Sequence, residues 1–327
     1  MEVEHKRTRL LPADAVRALS LRSDAAGARR LSQHLALWLA VAALTWTAVG
    51  GAWLPAAMLL QGVVQVALFA GLHECVHRTA FRSRPTNDVA AAGLGLLVGL
   101  PAGYFRRYHF AHHRFTQDPA RDPELAAPKP ETTGQYVLYL SGWRYWHDRV
   151  SELFRHARGR VSADFVPPAE RSQVVAEARG HLAAYGAVLA LSLALARAEA
   201  FWLWLGPALL GQPFLRLYLL AEHTGAALGD DMLANTRTTY ASWPVRLLMW
   251  NMPFHAEHHM YPAVPFHRLA ALHRLLAPHL RVTAPSYGAT HRAYWRALRG
   301  GRGAAFTRPA DGTSPLPPRQ APSPASA

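Results

Sequence analysis

The sequence has a single cysteine, Cys75, among 327 residues. A disulfide within the chain is therefore impossible, and zinc or iron–sulfur sites built from several cysteines are excluded. The mean hydropathy of −0.02 is low for a membrane protein. The apolar residues are nevertheless gathered in a few blocks between charged stretches, which indicates membrane spans joined by polar segments rather than one soluble core.

Positive charge exceeds negative charge by 14, from 35 Lys and Arg against 21 Asp and Glu. Arginine-rich ends on the cytoplasmic side of a bilayer are the simpler explanation, and a docking face for an acidic partner such as a ferredoxin is the alternative. We expect no nucleic-acid partner. Residues 1–33 contain many arginines and no long apolar run, so they are expected to form a cytoplasmic N-terminal arm rather than a secretory signal.

Four apolar blocks predict an all-α integral membrane fold with about four transmembrane helices, arranged as two hairpins. The blocks are residues 35–49 and 53–72 for the first hairpin, and 182–196 and 201–220 for the second. The turn of the first hairpin has no Lys or Arg, whereas its flanks do. The positive-inside rule therefore places both outer ends of that hairpin, and the N-terminus, in the cytoplasm of a multi-pass protein.

Residues 89–103 form a further apolar segment, which is rich in glycine and contains Pro101. Crossing a bilayer and returning takes about 40 residues, at about 20 for each span. Only 31 residues separate His77 from His109. This segment is therefore expected to dip into the membrane and return, or to lie along its surface, which leaves the histidines at its two ends on the same side.

Two other segments are predicted to be amphipathic helices outside the spans. Residues 135–154 mix aromatic and charged side chains, and residues 265–279 have apolar residues at helical spacing. From residue 300 the chain turns to Gly, Pro, Ser and Ala, which predicts a disordered tail over 300–327. The expected organisation is an arm (1–33), a membrane domain (34–280) with a cytoplasmic helical cap, and this tail.

Nine of the 18 histidines gather in four places. The pattern H-x-x-H-H occurs twice and the pattern H-x-x-x-H once, and on a helix either spacing turns the imidazoles to one side. We predict that these histidines bind metal together, in the cap that joins the spans. The candidate ligands are His73 and His77; His109, His112 and His113; His223; and His255, His258 and His259.

This number of imidazoles exceeds the three or four ligands that a lone zinc ion takes. It fits two metal ions that share an all-nitrogen set of ligands. Imidazole admits zinc, copper, iron or nickel, so the ligands do not choose the metal. A two-metal membrane site with access to lipid favours oxygen chemistry by iron. The other histidines, His273 among them, are expected to be surface or packed residues.

His73 to His77 also reads as H-E-x-x-H, the signature of zinc peptidases, in which Glu74 would be the general base. Matches of five residues arise often by chance, and a zinc peptidase needs one further ligand rather than seven. A membrane zinc hydrolase is therefore kept as a remote alternative.

Three segments resemble the histidine motifs of the membrane fatty acid desaturase family: HECVHRTAF (73–81), RYHFAHHRFTQDPARDPE (107–124) and NMPFHAEHHMYPAVPFHRL (251–269). The resemblance runs from about residue 34 to about residue 275. It implies a di-iron centre, O2 as co-substrate and the insertion of a double bond into a fatty acyl or lipid chain. It also implies a separate electron donor, ferredoxin or cytochrome b5 with its reductase, since the H-P-G-G haem-binding signature is absent from the sequence.

The resemblance implies that the eight histidines of the three motifs are ligands, and that His223 is the extra histidine at the end of the last span. Some animal desaturases have an asparagine four residues before that histidine. Here the position is Leu219, and Asn251, four residues before His255, is a candidate substitute. Candidates for holding the imidazole N–H groups are Glu74, Asp118, Asp122, Glu222 and Glu257.

Three functions remain open at this point. The first is a lipid or acyl desaturase. The second is a hydroxylase or ketolase of the same superfamily, acting on a lipid, a carotenoid, a sphingoid or an amino-acid-derived substrate. The third is the membrane zinc hydrolase. Residues 235–238 are expected to cap a helix rather than to position a substrate head group.

Overall fold

In a computed structural model, residues 10–307 are described, and most of them are helical. The all-α fold class is thus confirmed, with one parallel pair of two-residue strands in the described range. A π-helix covers Phe201–Leu205. The elements in chain order are α1 (Ala13–Leu19), α2 (Asp24–Ala48), α3 (Leu54–His77), α4 (Arg84–Val98), α5 (Ala102–Phe115), α6 (Thr133–Leu140), α7 (Trp143–Ala157), α8 (Arg171–Ala194), α9 (Gly206–His223), α10 (Met232–Asn235), β1 (Thr238–Thr239), α11 (Trp243–Leu248), α12 (His255–Met260), α13 (Leu269–Leu276), β2 (Thr283–Ala284), α14 (Tyr287–Arg299) and α15 (Gly303–Thr307).

The described chain forms two compact units. The long-helix unit consists of residues 23–110 and 137–216, and it contains α2, α3, α4, α7 and α8. The short-helix unit consists of residues 10–22, 111–136 and 217–307. Helices α5, α6 and α9 contribute residues to both units.

Helices α2 and α3 follow one another across a short turn, as the first two apolar blocks predict. Helix α2 begins at Asp24, because the hydroxyl of Ser23 accepts a hydrogen bond from the Ala26 N–H at 3.3 Å and caps the helix. Gly27 lets the helix approach the carbonyl oxygen of Ala80, since a Cβ there would lie 2.2 Å from that oxygen. Residues 24–33 therefore belong to α2 and not to the expected arm.

Two buried glutamines on α3 hold neighbouring segments of the long-helix unit. Gln61 Nε2 donates to the carbonyl oxygen of Leu203 at 2.5 Å, and Gln65 Nε2 donates to that of Trp204 at 3.1 Å. Trp38 Nε1 of α2 donates to Gln65 Oε1 at 3.3 Å. Because buried amides need such partners, these contacts explain the polar residues inside an otherwise apolar helix.

Helices α4 and α5 meet at an angle of 98°. Helix α4 ends at Val98 and is capped by Gly99, whose φ of 74° suits glycine; Pro101 follows. The carboxylate of Glu177 on α8 accepts hydrogen bonds from the backbone N–H groups of Gly103 and Tyr104, at 2.7 and 3.0 Å, and so caps the start of α5. The bend has the shape expected of a segment that dips and returns, and equally that of a broken span.

The segments around α6 to α8 differ from the sequence-based expectation. The amphipathic helix predicted over 135–154 is two helices, since Gly142 has a φ of 70° between the end of α6 at Leu140 and the start of α7 at Trp143. Helix α8 begins at Arg171, well before the apolar block at 182–196. Its first half is polar, so the helix is longer than its apolar part.

Among the described helices, one is long and apolar enough to span a membrane, namely α3. The bent pair of α4 and α5 is a second candidate if it counts as one segment. Helices α2 and α8 each join an apolar half to a charged first half, and α9 contains Pro213 and Arg216. The four-span arrangement therefore stays a prediction.

The core of the short-helix unit includes one face of α13, where Leu269, Leu272 and Leu276 are fully buried. The amphipathic helix predicted over 265–279 is confirmed by this stripe. Disorder was expected from residue 300, but Gly303–Thr307 is helical because the ring of Phe306 stacks on that of Tyr294 at 4.7 Å. Residues 308–327 of the expected tail and residues 1–9 of the arm lie outside the described residues.

Candidate metal centre

Three histidines of the long-helix unit form one cluster. His73 and His77 lie one turn apart on α3, and His109 lies on α5. The ring centroids are 4.9 Å apart for His73 and His77, 4.4 Å apart for His73 and His109, and 4.8 Å apart for His77 and His109. Three imidazoles at these separations can converge on one ion.

Aromatic rings line this cluster. The ring of Phe69, one turn before His73 on α3, lies 6.3 Å from the His73 ring. The ring of Phe105 stacks on His109 at 5.3 Å and also contacts Phe69 at 5.3 Å. Apolar walls of this kind limit the access of water to a metal site and fix the orientation of its ligands.

Glu74 lies beside the first two histidines in the sequence and is fully buried. Its carboxylate accepts a hydrogen bond from the hydroxyl of Thr79 at 2.7 Å. Thr79 comes just after α3 ends, and its hydroxyl also contacts the carbonyl oxygen of Glu74 at 3.1 Å. This arrangement fastens the end of the helix, which differs from the general-base role that H-E-x-x-H would give to Glu74.

Six histidines of the short-helix unit form a second cluster, and all six are buried. One ring nitrogen from each of three of them, on α5, α9 and α12, lies within 4.8 Å of those of the other two. These three are His112, His223 and His259, and the remaining three are His113, His255 and His258.

Hydrogen bonds fix the proton on two of the three rings. His223 Nδ1 lies 3.1 Å from the carbonyl oxygen of Asn235. Since a carbonyl only accepts, Nδ1 carries the proton and Nε2 is the lone pair. His112 Nδ1 donates in the same way to Asp122 Oδ1 at 3.0 Å. Burial lowers the pKa of His223 to about 4, so this ring is neutral near pH 7.

The third ring, that of His259, is oriented by Thr116. The hydroxyl of Thr116 donates to the carbonyl oxygen of His112 at 2.8 Å, so it accepts from His259 Nδ1 at 3.2 Å. His259 Nε2 is buried and has no hydrogen-bond partner within residues 10–307. Unprotonated ring nitrogens gathered this closely in a buried place repel one another unless a cation lies among them. The arrangement therefore fits a metal ion.

The other three histidines extend the cluster. His113 Nε2 and His258 Nε2 are 3.1 Å apart, and so are His223 Nε2 and His255 Nε2. Two nitrogens that bind one ion at about 2.1 Å are themselves separated by about 3.0–3.5 Å. The observed separations are those of ligands that share an ion.

Asp122 and Glu222 lie where the sequence predicts partners for the imidazoles. Besides His112, Asp122 binds the backbone N–H groups of Gln117 and Glu124, at 2.8 and 2.9 Å. Glu222 Oε1 lies 3.3 Å from His255 Nδ1. Burial and the neighbouring Glu124 carboxylate raise the pKa of Glu222 well above its ordinary value.

Two other predicted partners serve the turns to which they belong. The carboxylate of Asp118 accepts from the Ala120 N–H at 2.9 Å and pairs with Arg121 at 2.6 Å. Asn251 has a φ of 61°, and its amide donates to the carbonyl oxygen of Phe266 at 3.0 Å. Both side chains thus bind groups other than the candidate ligands. The predicted support of the histidines by Asp118 and Asn251 is not observed.

Glu257 lies between histidines of α12 and is fully buried, but its carboxylate binds residues from other elements. Thr238 Oγ1 on β1 donates to Oε2 at 2.5 Å, and His273 Nδ1 on α13 donates to Oε1. The ring of His273 stacks on that of Phe254 at 4.6 Å. His273, expected to be an ordinary packed residue, thus helps to fix α12.

Residues 235–238 end helix α10, with Thr236 at its C-cap as expected, and they also connect elements. The amide of Asn235 donates to the carbonyl oxygens of Thr116 and Gly229, at 3.2 and 2.7 Å. The backbone N–H of Arg237 donates to the carbonyl oxygen of Glu222 at 2.9 Å. These contacts set the position of the Asn235 carbonyl that holds His223.

Glu124 is a residue that the sequence did not single out. Its Oε2 lies 3.5 Å from His112 Nε2, and its Oε1 pairs with Lys129 Nζ at 2.9 Å. Burial opposes the charged form, but the Lys129 ammonium group outweighs it and lowers the pKa of Glu124. The signal that could have drawn attention to it is its place two residues after Asp122.

The described chain is mostly helical, and its histidines form clusters whose ring nitrogens are placed to hold metal ions. The profile of the family "Fatty acid desaturase" matches residues 51–295. The chain belongs to the fatty acid desaturase family, as the motifs predicted, and it is a desaturase-type oxidoreductase. The zinc hydrolase is therefore not retained.

Individual relatives agree with the family. A sphingolipid delta(4)-desaturase DES1 from Drosophila melanogaster is 28% identical over 260 residues, which cover 76% of this chain and 73% of the relative. A sphingolipid delta(4)-desaturase/C4-monooxygenase DES2 from Rattus norvegicus is 26% identical over 270 residues, covering 81% and 76%. The protein of the same description from Homo sapiens is 27% identical over 280 residues, with the same coverage.

Proposed function

We propose that this protein uses O2 and a di-iron centre to insert a double bond into the hydrocarbon chain of a membrane lipid. The observation that carries the proposal is the convergence of one ring nitrogen from each of His112, His223 and His259, three histidines whose Nδ1 atoms each contact a hydrogen-bond partner from another residue. It occurs in a chain of the fatty acid desaturase family.

Helix α5 supports a centre with two metal ions. It carries His109 of one cluster and His112 and His113 of the other. Residues spaced i, i+3 and i+4 lie on one side of a helix, and this is the spacing from which the sequence predicts a shared set of ligands. The nine histidines are thereby proposed to serve as one set of ligands.

The overall reaction has a simple balance. Bound iron would supply the oxidising power with which O2, two electrons and two protons convert CH2–CH2 into CH=CH and form two molecules of water. The residues of the chain hold the ligands and exclude water. Asp122, Thr116 and the Asn235 carbonyl keep the Nδ1 protons in place, while Phe69 and Phe105 wall the long-helix cluster. The electrons are proposed to come from a separate ferredoxin, or from cytochrome b5 with its reductase.

Exposed apolar side chains support a multi-pass membrane protein in which the long-helix unit contacts lipid. On α2, Leu39 is 59% exposed and Leu44 is 51% exposed. On α8, Leu189 is 61% exposed and Leu193 is 72% exposed. So much apolar surface in water is costly, and a bilayer removes the cost. We propose that α2 with α3, and α8 with the segment 201–220, form the two hairpins, with the N-terminus and the histidines in the cytoplasm.

The relatives suggest the substrate class. They are described as acting on sphingolipids, and we propose a sphingolipid or a similar lipid as the substrate here. The DES2 relatives are also described as C4-monooxygenases. Hydroxylation by the same centre is therefore the second candidate function, since removal of one hydrogen atom is common to both outcomes.

The test is lipid mass spectrometry of cells that express the wild-type chain or its His258→Ala variant. A desaturase produces a lipid with two hydrogens fewer than its precursor, and a hydroxylase produces one with an added oxygen. Either product should vanish with His258→Ala. A matched control is His147→Ala, which replaces an exposed histidine of α7 and should leave the product unchanged.

Iron content separates the proposal from other metal chemistry. The purified wild-type chain is expected to hold about two irons, as two sets of imidazole ligands require. An unchanged lipid profile together with one zinc per chain would overturn the proposed function.

A further inference from the structure

Glu124 lies at the edge of the second histidine cluster and contacts a candidate ligand directly. Its Oε2 is 3.5 Å from His112 Nε2, the ring nitrogen that is left as the lone pair when Nδ1 donates to Asp122. An oxygen and a nitrogen that bind the same ion at about 2.1 Å are separated by about 3.0–3.5 Å. The carboxylate is thus at ligand distance from the metal-facing atom of His112.

The surroundings of Glu124 leave one oxygen for this role. Oε1 is used by Lys129, whose Nζ pairs with it at 2.9 Å. Oε2 is the oxygen on the side of His112. The backbone of Glu124 is fixed, because its N–H donates to Asp122 Oδ1 at 2.9 Å. This hydrogen bond holds the backbone from which the Glu124 side chain extends towards His112.

We infer that the Glu124 carboxylate is a further metal ligand, binding through Oε2 the ion held by His112, His223 and His259. This inference rests on the proposed metal centre and departs from the all-histidine set implied by the family. None of the sequence motifs assigns a role to this residue.

Charge gives a reason for a carboxylate in this place. Two divalent cations bound only by neutral imidazoles would bring a charge of +4 into a buried site. Uncompensated buried charge is strongly unfavourable. The Glu124 carboxylate, which lies beside His112 through Oε2 and pairs with Lys129 through Oε1, is one of the carboxylates placed to offset it.

The alternative is that Glu124 only makes an ion pair with Lys129 that steadies the loop. Three variants distinguish the two roles: Glu124→Gln removes the charge, Lys129→Met removes the ion pair but keeps the carboxylate, and Glu124→His supplies a new nitrogen ligand that cannot pair with Lys129. If Glu124 is a metal ligand, Glu124→Gln should lose iron, Lys129→Met should retain it, and Glu124→His should regain it. If Glu124 only forms the ion pair in the loop, all three variants should lose iron.

The readout is iron per chain in full-length protein purified in detergent and loaded with Fe2+ without oxygen, together with the Mössbauer spectrum. We expect Glu124→Gln to weaken one iron site by about 10–100-fold or more, the range known for residues that support ligands. Lys129→Met should keep both irons with the wild-type spectrum. Glu124→His should keep both irons with a changed quadrupole splitting for one of them.

Other outcomes overturn the inference. If Glu124→Gln keeps both irons and the wild-type spectrum, Glu124 is not a ligand, while the proposed di-iron function stands. If the three variants lose iron alike, the residue acts through Lys129. If the wild-type chain holds a single iron that Glu124→Gln loses, the ligand role of Glu124 stands and the dinuclear centre fails.

Discussion

His273 Nδ1 donates a hydrogen bond to the carboxylate of Glu257, which is fully buried between histidines of α12. Replacing His273 by alanine would leave Thr238 as the donor that remains from this pair of contacts. The loss of a hydrogen bond to a charged group costs about 1.5–3 kcal/mol. We therefore expect His273→Ala to lower the free energy of unfolding by about that amount, measured by thermal or denaturant unfolding in detergent. His279→Ala, an exposed histidine of the same segment, is the control, and equal stability of the two variants would contradict the prediction.

Asp122 and Asp118 provide a matched pair of variants. Asp122→Asn removes the charge that holds the His112 Nδ1 proton, whereas Asp118→Asn changes a carboxylate that serves its own turn. Loss of such a partner of a metal-bound histidine typically costs 10–100-fold in metal affinity or activity, so we expect a loss of about that size for Asp122→Asn. Asp118→Asn should stay close to wild type. The measurement is product formed per chain, together with iron per chain, and equal values for both variants would argue against the assigned contact.

Gly62 on α3 allows a contact between two backbones in the long-helix unit. A Cβ at Gly62 would lie 2.3 Å from the carbonyl oxygen of Pro207, and one at Gly211 would lie 2.2 Å from the carbonyl oxygen of Gly62. Neither backbone can yield without moving its helix, so Gly62→Ala should destabilise the protein by about 1–3 kcal/mol, the usual cost of overpacking. Gly93→Ala is the control, because a Cβ there meets nothing within 4 Å inside α4. It should be neutral or stabilising by up to about 1 kcal/mol. A Tm of Gly62→Ala at or above that of Gly93→Ala would refute the close contact.

The proposed orientation in the membrane is open to labelling of cysteines. The native Cys75 is fully buried, so a membrane-impermeant maleimide should leave the wild-type chain unlabelled. Trp53, 79% exposed in the turn between α2 and α3, is proposed to lie outside the cell, and the exposed Arg160 after α7 inside it. We expect Trp53→Cys to be labelled in intact cells and Arg160→Cys only after permeabilisation. The reverse pattern would invert the proposed orientation.

The candidate ligands could be predicted from the sequence because helical spacing is a local property. The intervals between His109, His112 and His113 set which side of α5 their rings share, whatever the rest of the chain does. Asp122 was reached for the same reason, since it lies on the loop that directly follows these histidines. The resemblance to the family motifs then suggested iron as the metal and desaturation as the reaction.

Two contacts around the histidines could not be predicted from the sequence. Thr116 contacts His259, 143 positions away, and His273 contacts Glu257, 16 positions away. Such pairings depend on how distant elements pack, so neither residue type nor spacing reveals them. Asn251 is the opposite case. Its spacing before His255 suggested a role at the metal site, but its backbone is left-handed and its side-chain amide donates to the carbonyl oxygen of Phe266.

The observed helix ends differ from the predicted ones where a helix extends beyond the apolar block in its sequence. The block at 35–49 is apolar, but the helix starts at the N-cap of Ser23, and a capping residue does not change the hydropathy of the block. Helix α15 lies in a stretch whose composition suggests disorder. Its order comes from the packing of Phe306 on Tyr294, a contact that composition does not encode.

The loop that ends at Asp122 has a fixed length for a chemical reason. One carboxylate there binds the ring of His112 and the backbone of both Gln117 and Glu124. A residue inserted between positions 117 and 122 would move the Asp122 oxygen away from the ring and let the imidazole proton shift to Nε2, the nitrogen that we propose to bind metal. A residue inserted at the exposed Gly159, where nothing lies within 4 Å of an added Cβ, would have no such consequence. We therefore expect the length of the 117–122 loop to be conserved among related proteins and the length of the turn at Gly159 to vary.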